Sequence, residues 1–287
     1  MKRNLFIRTL TGIIYVGAVV LCLVLHPLAY AILFALFTGL TAWEFCTLLN
    51  RQAHTGLNRL IVTAAAVYFF VATLAFNLGA TTAAVYIPYL ISIIYLLIAE
   101  IYLDNPTPLL NWAYALMAQL YIALPFALIN TLAFTVQQQD GLIGVAYSWL
   151  LPLALFVCLW ASDTGAYLFG SLLGRHRLFP RISPKKSWEG SIGGTVLAVI
   201  ASLIIAALTT PTFASACAWA GMAIVVVLFG TWGDLVESLL KRKLGVKDSG
   251  TLLPGHGGML DRFDSALLAI PAVVIYIYTL QTLGINL

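Results

Sequence analysis

The chain has 287 residues, of which 61% are hydrophobic and only 9% charged, with a net charge of +4 and a mean hydropathy of +0.97. A soluble domain carries roughly 25% charged and 45–50% apolar residues, so a water-soluble globule is excluded. Disorder, which needs low hydrophobicity and high charge, is excluded with it. The apolar runs are continuous and not alternating, which speaks against a β-barrel and leaves an all-α polytopic integral membrane protein.

A helix needs about 20 apolar residues to cross the bilayer. About nine such runs follow one another, near 8–25, 28–49, 60–79, 83–103, 109–134, 142–163, 190–209, 212–233 and 264–284. Only His26-Pro27 separates the first two, which predicts a tight hairpin, and Pro125 predicts a tilt or kink in the fifth. Numbering the gaps alternately puts 1–7, 50–59, 104–108, 164–189 and 234–263 on one side. With Arg8 counted at the inner edge of the first span, that side holds all 15 Lys and Arg residues. The other side (26–27, 80–82, 135–141, 210–211 and the tail) holds none. Cytoplasmic loops concentrate Lys and Arg, so the N-terminus is expected in the cytoplasm and the C-terminus outside. Lys2-Arg3, an apolar stretch and Ala29-Tyr30-Ala31 imitate a signal peptide. The stretch is longer than the usual apolar region of one, and it reads as a retained span. Cys22, Cys46, Cys158 and Cys217 lie in apolar runs without metal-ligand spacing and read as small buried hydrophobes.

Charge is unevenly spread: 17 of the 26 charged residues lie between Asp163 and Asp264. This divides the chain into 1–161, about six spans serving as scaffold and lipid access, and 162–287, a catalytic region of about three spans and two charged cytoplasmic loops. In the second loop, Asp234, Ser238 and Lys241 share one helical face at 100° per residue, with Glu237 beside them. The ordinary alternative is a capping box, with Asp234 as N-cap and Glu237 three positions on. Further along, Pro254-Gly-His256-Gly257-Gly258 is a loop whose backbone N–H groups suit phosphate. His256 alone is more often a loop histidine than a ligand or base, and it enters the catalytic set only with the motif around it. Asp261 and Asp264 follow at the start of the ninth span, where complementing the helix dipole is their ordinary role. In the first loop, Ser183-Pro-Lys185-Lys186-Ser187-Trp-Glu-Gly190 precedes a glycine-rich helix start with Gly193 and Gly194. Lysines beside a helix N-terminus attract phosphate, although anchoring to anionic headgroups explains them too. Asp163 is expected at the end of the sixth span, and a carboxylate at that depth is a functional candidate. Carboxylates, basic groups and glycine loops at a membrane surface fit metal-assisted phosphoryl or nucleotidyl transfer, with Asp oxygens suited to Mg²⁺.

The 27-residue stretch from Ser238 to Asp264, SLLKRKLGVKDSGTLLPGHGGMLDRFD, resembles the signature of the phosphatidate cytidylyltransferases, or CDP-diacylglycerol synthases. The matching positions are Ser238, Lys241-Arg242, Lys247-Asp248, Gly250, Pro254, His256-Gly257-Gly258, Asp261-Arg262 and Asp264. SPKKSWEG resembles the family's second motif, with Ser187 where Thr is more usual. The first 160 residues are similar in hydropathy only. The resemblance implies an enzyme of the bacterial cytoplasmic (inner) membrane with a cytoplasmic active site and a homodimeric assembly. Its implied reaction takes CTP and phosphatidate to CDP-diacylglycerol and pyrophosphate, by direct attack of the lipid phosphate on the α-phosphorus. It implies divalent metal on Asp234 and Asp261, with Asp264, Asp163 and Glu237 as further candidates. Lys241, Arg242, Lys247 and Arg262 would hold phosphates, and Ser183, Lys185 and Lys186 would contact the triphosphate or pyrophosphate. Beyond the bilayer and the two substrates, no nucleic-acid partner is expected. The competing class is a polytopic transporter or ion-coupled carrier with Asp163 and Asp234 as relay groups, and a lipid kinase is a third reading, although the chain has no P-loop or kinase signature.

Overall fold

A computed structural model describes residues 2–139, 142–209, 211–250 and 257–285. The chain is an all-α polytopic membrane protein, and among the described residues eight helices are long and apolar enough to cross a membrane. The apolar part of the first helix, Thr11–Leu25, accompanies them. The helices are α1 (Lys2–Leu25), α2 (Pro27–Gln52), α3 (Arg59–Asn77), α4 (Ile87–Tyr102), α5 (Pro108–Ala118), α6 (Leu124–Ala133), α7 (Leu150–Leu173), α8 (Trp188–Thr209), α9 (Phe213–Lys243) and α10 (Leu260–Thr282). Two antiparallel pairs complete the description, β1 (Phe134–Gln139) with β2 (Leu142–Tyr147) and β3 (Arg177–Phe179) with β4 (Ser183–Ser187).

Local chemistry accounts for several element ends. His26 caps α2, its Nδ1 accepting from Leu28 N at 3.1 Å, while Pro27 supplies the preset φ that suits a first helical position. The kink expected at Pro125 takes the form of a π turn at Gln119–Ala123, between α5 and α6. Proline withholds its N–H from the ladder, and the turn before it re-forms in the wider register.

Three expectations are corrected. The sixth span does not begin at residue 142: β1 and β2 pair from Phe134↔Tyr147 to Gln139↔Leu142, and α7 starts only at Leu150. LIGVAY is apolar but rich in β-formers, and a short apolar run does not reveal by hydropathy whether it is strand or helix. Helix α7 then continues to Leu173, so Asp163 lies within a helix and not at its end. Helix α9 likewise runs unbroken through Asp234 to Lys243, which removes the capping-box alternative. Glu, Leu, Lys and Arg are good helix formers, and Glu237 pairs with Lys241 one turn on, so the helix outlasts its apolar stretch.

The chain forms two units. The first comprises Met1–Trp149 and Lys243–Phe263. Its core is aromatic: the ring of Phe263 lies 4.9 Å from Phe37 and 5.0 Å from Phe126, centroid to centroid. Buried amides cross-link its helices. Tyr30 Oη donates to Asn130 Oδ1 at 2.8 Å, Asn130 Nδ2 to Phe70 O at 3.2 Å, and Gln119 Nε2 to Val62 O at 3.0 Å. Such pairing is what makes a polar side chain tolerable in an apolar interior. The apolar side chains of α4, such as Leu90, Ile91, Ile94 and Ile101, face outward, as lipid contact requires.

The second unit comprises Leu150–Arg242 and Asp264–Leu287. Here α7 and α8 touch backbone to backbone. A methyl group on Gly165 would sit 2.7 Å from Gly193 O and 2.8 Å from Gly194 Cα, and one on Gly194 would sit 2.7 Å from Ser162 O. Gly190, Gly193 and Gly194 are therefore also packing positions, the small-residue contact of membrane helices, and Gly190 at the same time lines the cleft beside Lys185 and Lys186. Gly233 does the same for α9 and α10: its added methyl would lie 3.1 Å from Ser265 Cα.

Candidate functional site

In the second unit the predicted face of α9 is present. Ser238 Oγ donates to Asp234 Oδ1 at 3.1 Å, and Lys241 Nζ pairs with Glu237 Oε2. Glu237 is wholly buried and Lys241 nearly so. Because Gly233 admits the backbone of Asp264 and Ser265, Asp264 reaches the same place. Carboxylate oxygens of Asp234, Glu237 and Asp264 all lie within 4.8 Å of one another. Asp264 Oδ1 accepts from the N–H of Ser265 at 2.6 Å. Three carboxylates this close repel one another unless cations stand among them. Lys241 supplies one positive charge and Lys186 a second, its Nζ paired with Asp234 Oδ2. The donor set is all oxygen, as a hard divalent cation such as Mg²⁺ requires. These residues therefore fit the metal that the resemblance implies.

The Lys186 pair joins two motifs distant in sequence. Strand β4 carries Ser183, Lys185 and Lys186, with Ser183 opposite Phe179 and Ser187 opposite Arg177. Ser187 Oγ accepts from Gly190 N at 3.2 Å and so caps α8, a task that needs the hydroxyl shared by Ser and Thr. Glu189 in the first turn of α8 accepts from His176, at 2.7 Å from Nδ1 and 3.1 Å from the backbone N, which ties down the hairpin. Beside this hairpin lies a cleft of about 200 Å³ whose polar lining includes Asp163, Lys185, Lys186, Ser187, Ser191 and Thr231. Asp163 is exposed to this cleft, and Arg242 is exposed near the end of α9.

The first unit holds the rest of the signature. Asp261, in the first turn of α10, accepts at Oδ2 from Gly258 N (2.8 Å), Ser249 N (2.9 Å) and Ser249 Oγ (2.9 Å). Gly257 has φ +84°, a left-handed backbone open chiefly to glycine. Lys247 and Asp248 are exposed on a second cleft of about 820 Å³, shared with Trp43, Glu44, Thr47 and Arg51 of α2. The Arg59 guanidinium stands 4.7 Å over the Trp43 ring. Arg262 is exposed, and His256 lies outside the described residues.

One residue escaped the sequence analysis. Glu44 in α2 accepts from Ser249 Oγ at 2.5 Å, Met259 N at 2.8 Å and Leu260 N at 3.1 Å. The signal was available, since Glu44 is the one carboxylate in the run 28–49, and a carboxylate inside a span marks a site by default.

The second unit thus combines clustered carboxylates, lysine partners and a polar cleft on the helices of a membrane protein. Residues 6–280 match the model of the cytidylyltransferase family, and the chain belongs to that family. Membership sets the carrier alternative aside. The chain is 43% identical over 145 residues to a phosphatidate cytidylyltransferase of Staphylococcus haemolyticus, 50% of this chain and 52% of that protein. It is 48% identical over 118 residues to the phosphatidate cytidylyltransferase of Staphylococcus saprophyticus (40% of this chain, 44% of that protein) and 45% identical over 145 residues to that of Staphylococcus aureus (50% and 52%). The chain spans about half the length of the curated relatives it matches.

Proposed function

We propose that this protein transfers the cytidylyl group of CTP to phosphatidate in phospholipid biosynthesis, giving CDP-diacylglycerol and pyrophosphate. The observation that carries the reading is the pairing of Lys186 with Asp234. It joins the SPKK strand, one motif of the family resemblance, to Asp234, an implied metal ligand one turn before the signature begins at Ser238. The names of the relatives supply the substrates.

In this reading an oxygen of the lipid phosphate forms a bond to the α-phosphorus of CTP, and the bond from that phosphorus to the β-phosphate oxygen breaks. Pyrophosphate leaves with the electron pair. The attacking group is already an anion, so no protein nucleophile or base is required. The protein's work is alignment and charge neutralisation. Lys185 and Lys186, with Ser183 on the same strand, hold nucleotide phosphates in the cleft. Lys241, Arg242, Lys247 and Arg262 are the remaining phosphate-binding groups, and Gly257 and Gly258 offer backbone N–H groups. Asp234, with Glu237 and Asp264, would hold a divalent cation, which when bound would supply positive charge near the phosphates. Asp234 belongs both to the pair implied by the resemblance, with Asp261, and to the trio gathered with Glu237 and Asp264. It is the ligand on which the reading depends, and Asp163 is the further carboxylate on the cleft. The proposal also places the charged segments on the cytoplasmic side of a bacterial inner membrane, treats 162–287 as the catalytic region and takes the homodimer from the family.

Replacing Asp234 by Asn keeps size and hydrogen-bonding reach while removing the charge. The expected result is a loss of turnover of about 100-fold or more, with the protein still inserted and folded. Near wild-type turnover of Asp234→Asn at ordinary Mg²⁺ would remove Asp234 from the metal site.

A further inference from the structure

Besides the ring packing of Phe263, the signature segment of the first unit is tied to α2 by the carboxylate of Glu44. Both carboxylate oxygens of Glu44 are engaged. Oε1 accepts from Ser249 Oγ (2.5 Å) and Leu260 N (3.1 Å), and Oε2 accepts from Met259 N (2.8 Å). These donors lie on both sides of the glycine loop, and two of them are among the N–H groups that a helix start leaves without intrahelical partners. Glu44 thus supplies α10 with its cap from another helix. Its contact with Ser249 reaches further. Ser249 Oγ is also 2.9 Å from Asp261 Oδ2, so a single buried hydroxyl is shared between two carboxylates. The fit is tight. A methyl group on Gly258 would overlap Glu44 Oε1 and Ser249 Oγ, and one on Gly250 would lie 2.6 Å from Glu44 Oε2. Glycine at both places leaves room for the carboxylate. A carboxylate in an apolar helix is costly to desolvate unless its oxygens are matched by donors, and here three donors match them.

We propose that Glu44 is a positioning residue for the reaction: through Ser249 it fixes the carboxylate of Asp261, and through Met259 and Leu260 it fixes the start of α10. The proposal rests on the cytidylyltransferase reading, because Asp261 matters to turnover only if the signature segment handles substrate. Glu44 touches neither substrate nor metal in this account. It acts as the groups behind metal and phosphate ligands generally do, by restricting their orientation.

The test uses the full-length protein in lipid nanodiscs with four substitutions: Glu44→Gln, Ser249→Ala, Ser249→Thr and the double change Glu44→Gln/Ser249→Ala. Glu100→Gln is the control. Glu100 is a second carboxylate of the first unit, in α4, and its Oε2 is held by Asn105 and Asn111 at 2.9 Å. Pyrophosphate release from CTP and phosphatidate should show kcat lowered by about 10–100-fold for Glu44→Gln and Ser249→Ala, with the KM for CTP little changed. Ser249→Thr, which retains the hydroxyl, should recover most of the rate. The double variant should lose no more than the worse single one, because both changes cut the same chain of contacts. Hydrogen–deuterium exchange over 257–263 should speed up in Glu44→Gln and stay at the wild-type rate in Glu100→Gln. Normal kcat in Glu44→Gln, additive losses in the double variant, or unchanged exchange would each overturn the proposal. A wild-type protein without pyrophosphate release would overturn the functional reading instead, and the exchange comparison would still decide whether Glu44 holds the segment.

Discussion

Lys186 and Asp234 show how a single pair can organise a site. Each is only partly exposed, and each would attract counter-charge from water or lipid if left alone. Paired, they hold strand β4 beside the carboxylates of α9 and leave Lys185 facing the cleft. When nucleotide phosphates arrive, both lysines become their partners in the proposed reaction. Changing Lys185 and Lys186 together to Gln should raise the KM for CTP about 10-fold or more, since a hydrogen bond to a charged group contributes about 1.5–3 kcal/mol. Steady-state kinetics on correctly inserted protein decides this, and an unaltered KM would mean that the lysines only anchor the loop to anionic lipid. At this scale the local geometry of the candidate site on α9 could be read from sequence. Asp234, Ser238 and Lys241 fall on one face because 100° per residue puts them there, and the structure adds the bond from Ser238 to Asp234. Glu44 could not be placed in the same way. Its partner Ser249 lies 205 residues later, and its other partners are backbone N–H groups, which carry no residue-specific mark. The gathering of Asp264 with Asp234 and Glu237 was equally hidden, because it depends on Gly233 admitting another backbone.

The elements tell a similar story about hydropathy. It found the apolar helices, because each must satisfy its own backbone hydrogen bonds in lipid and must be long enough to cross. It was blind to elements whose reason lies elsewhere. The β1–β2 pair hides inside an apolar run, α7 runs on through the polar Ser162-Asp163-Thr164 to further apolar residues, and α9 continues past the point where its apolar residues stop. Small residues proved more informative than they first looked. Gly165 on α7 faces Gly193 and Gly194 on α8, so the two helices approach to backbone contact and bring the cleft residues Ser162 and Asp163 near Lys185 and Ser191. Gly165→Leu should therefore push the helices apart and destabilise the protein by about 1–3 kcal/mol or more, the usual cost of overpacking. A thermal-unfolding shift in detergent reads this out. Gly17, with nothing within 4 Å of an added methyl, is the control that should tolerate Ala. An unshifted midpoint for Gly165→Leu would mean that α7 and α8 are not held by this contact.

At the scale of the whole molecule, the distribution of charge is the strongest statement the chain makes. Every Lys and Arg falls on one side of the expected topology, and that side also carries the SPKK strand, the end of α9 and the signature segment. CTP is a multiply charged solute that does not cross a bilayer, so the proposed chemistry and the proposed orientation stand or fall together. The measurement that tests both is pyrophosphate release by sealed vesicles of the purified protein in phosphatidate-containing bilayers, sorted into inside-out and right-side-out populations. Inside-out vesicles given CTP and Mg²⁺ should release pyrophosphate and accumulate CDP-diacylglycerol in equal amounts. ATP in place of CTP should give neither product, and right-side-out vesicles should stay silent until opened with detergent. Pyrophosphate released equally from ATP, or CTP left intact by opened vesicles rich in phosphatidate, would contradict the assignment of this protein as a phosphatidate cytidylyltransferase.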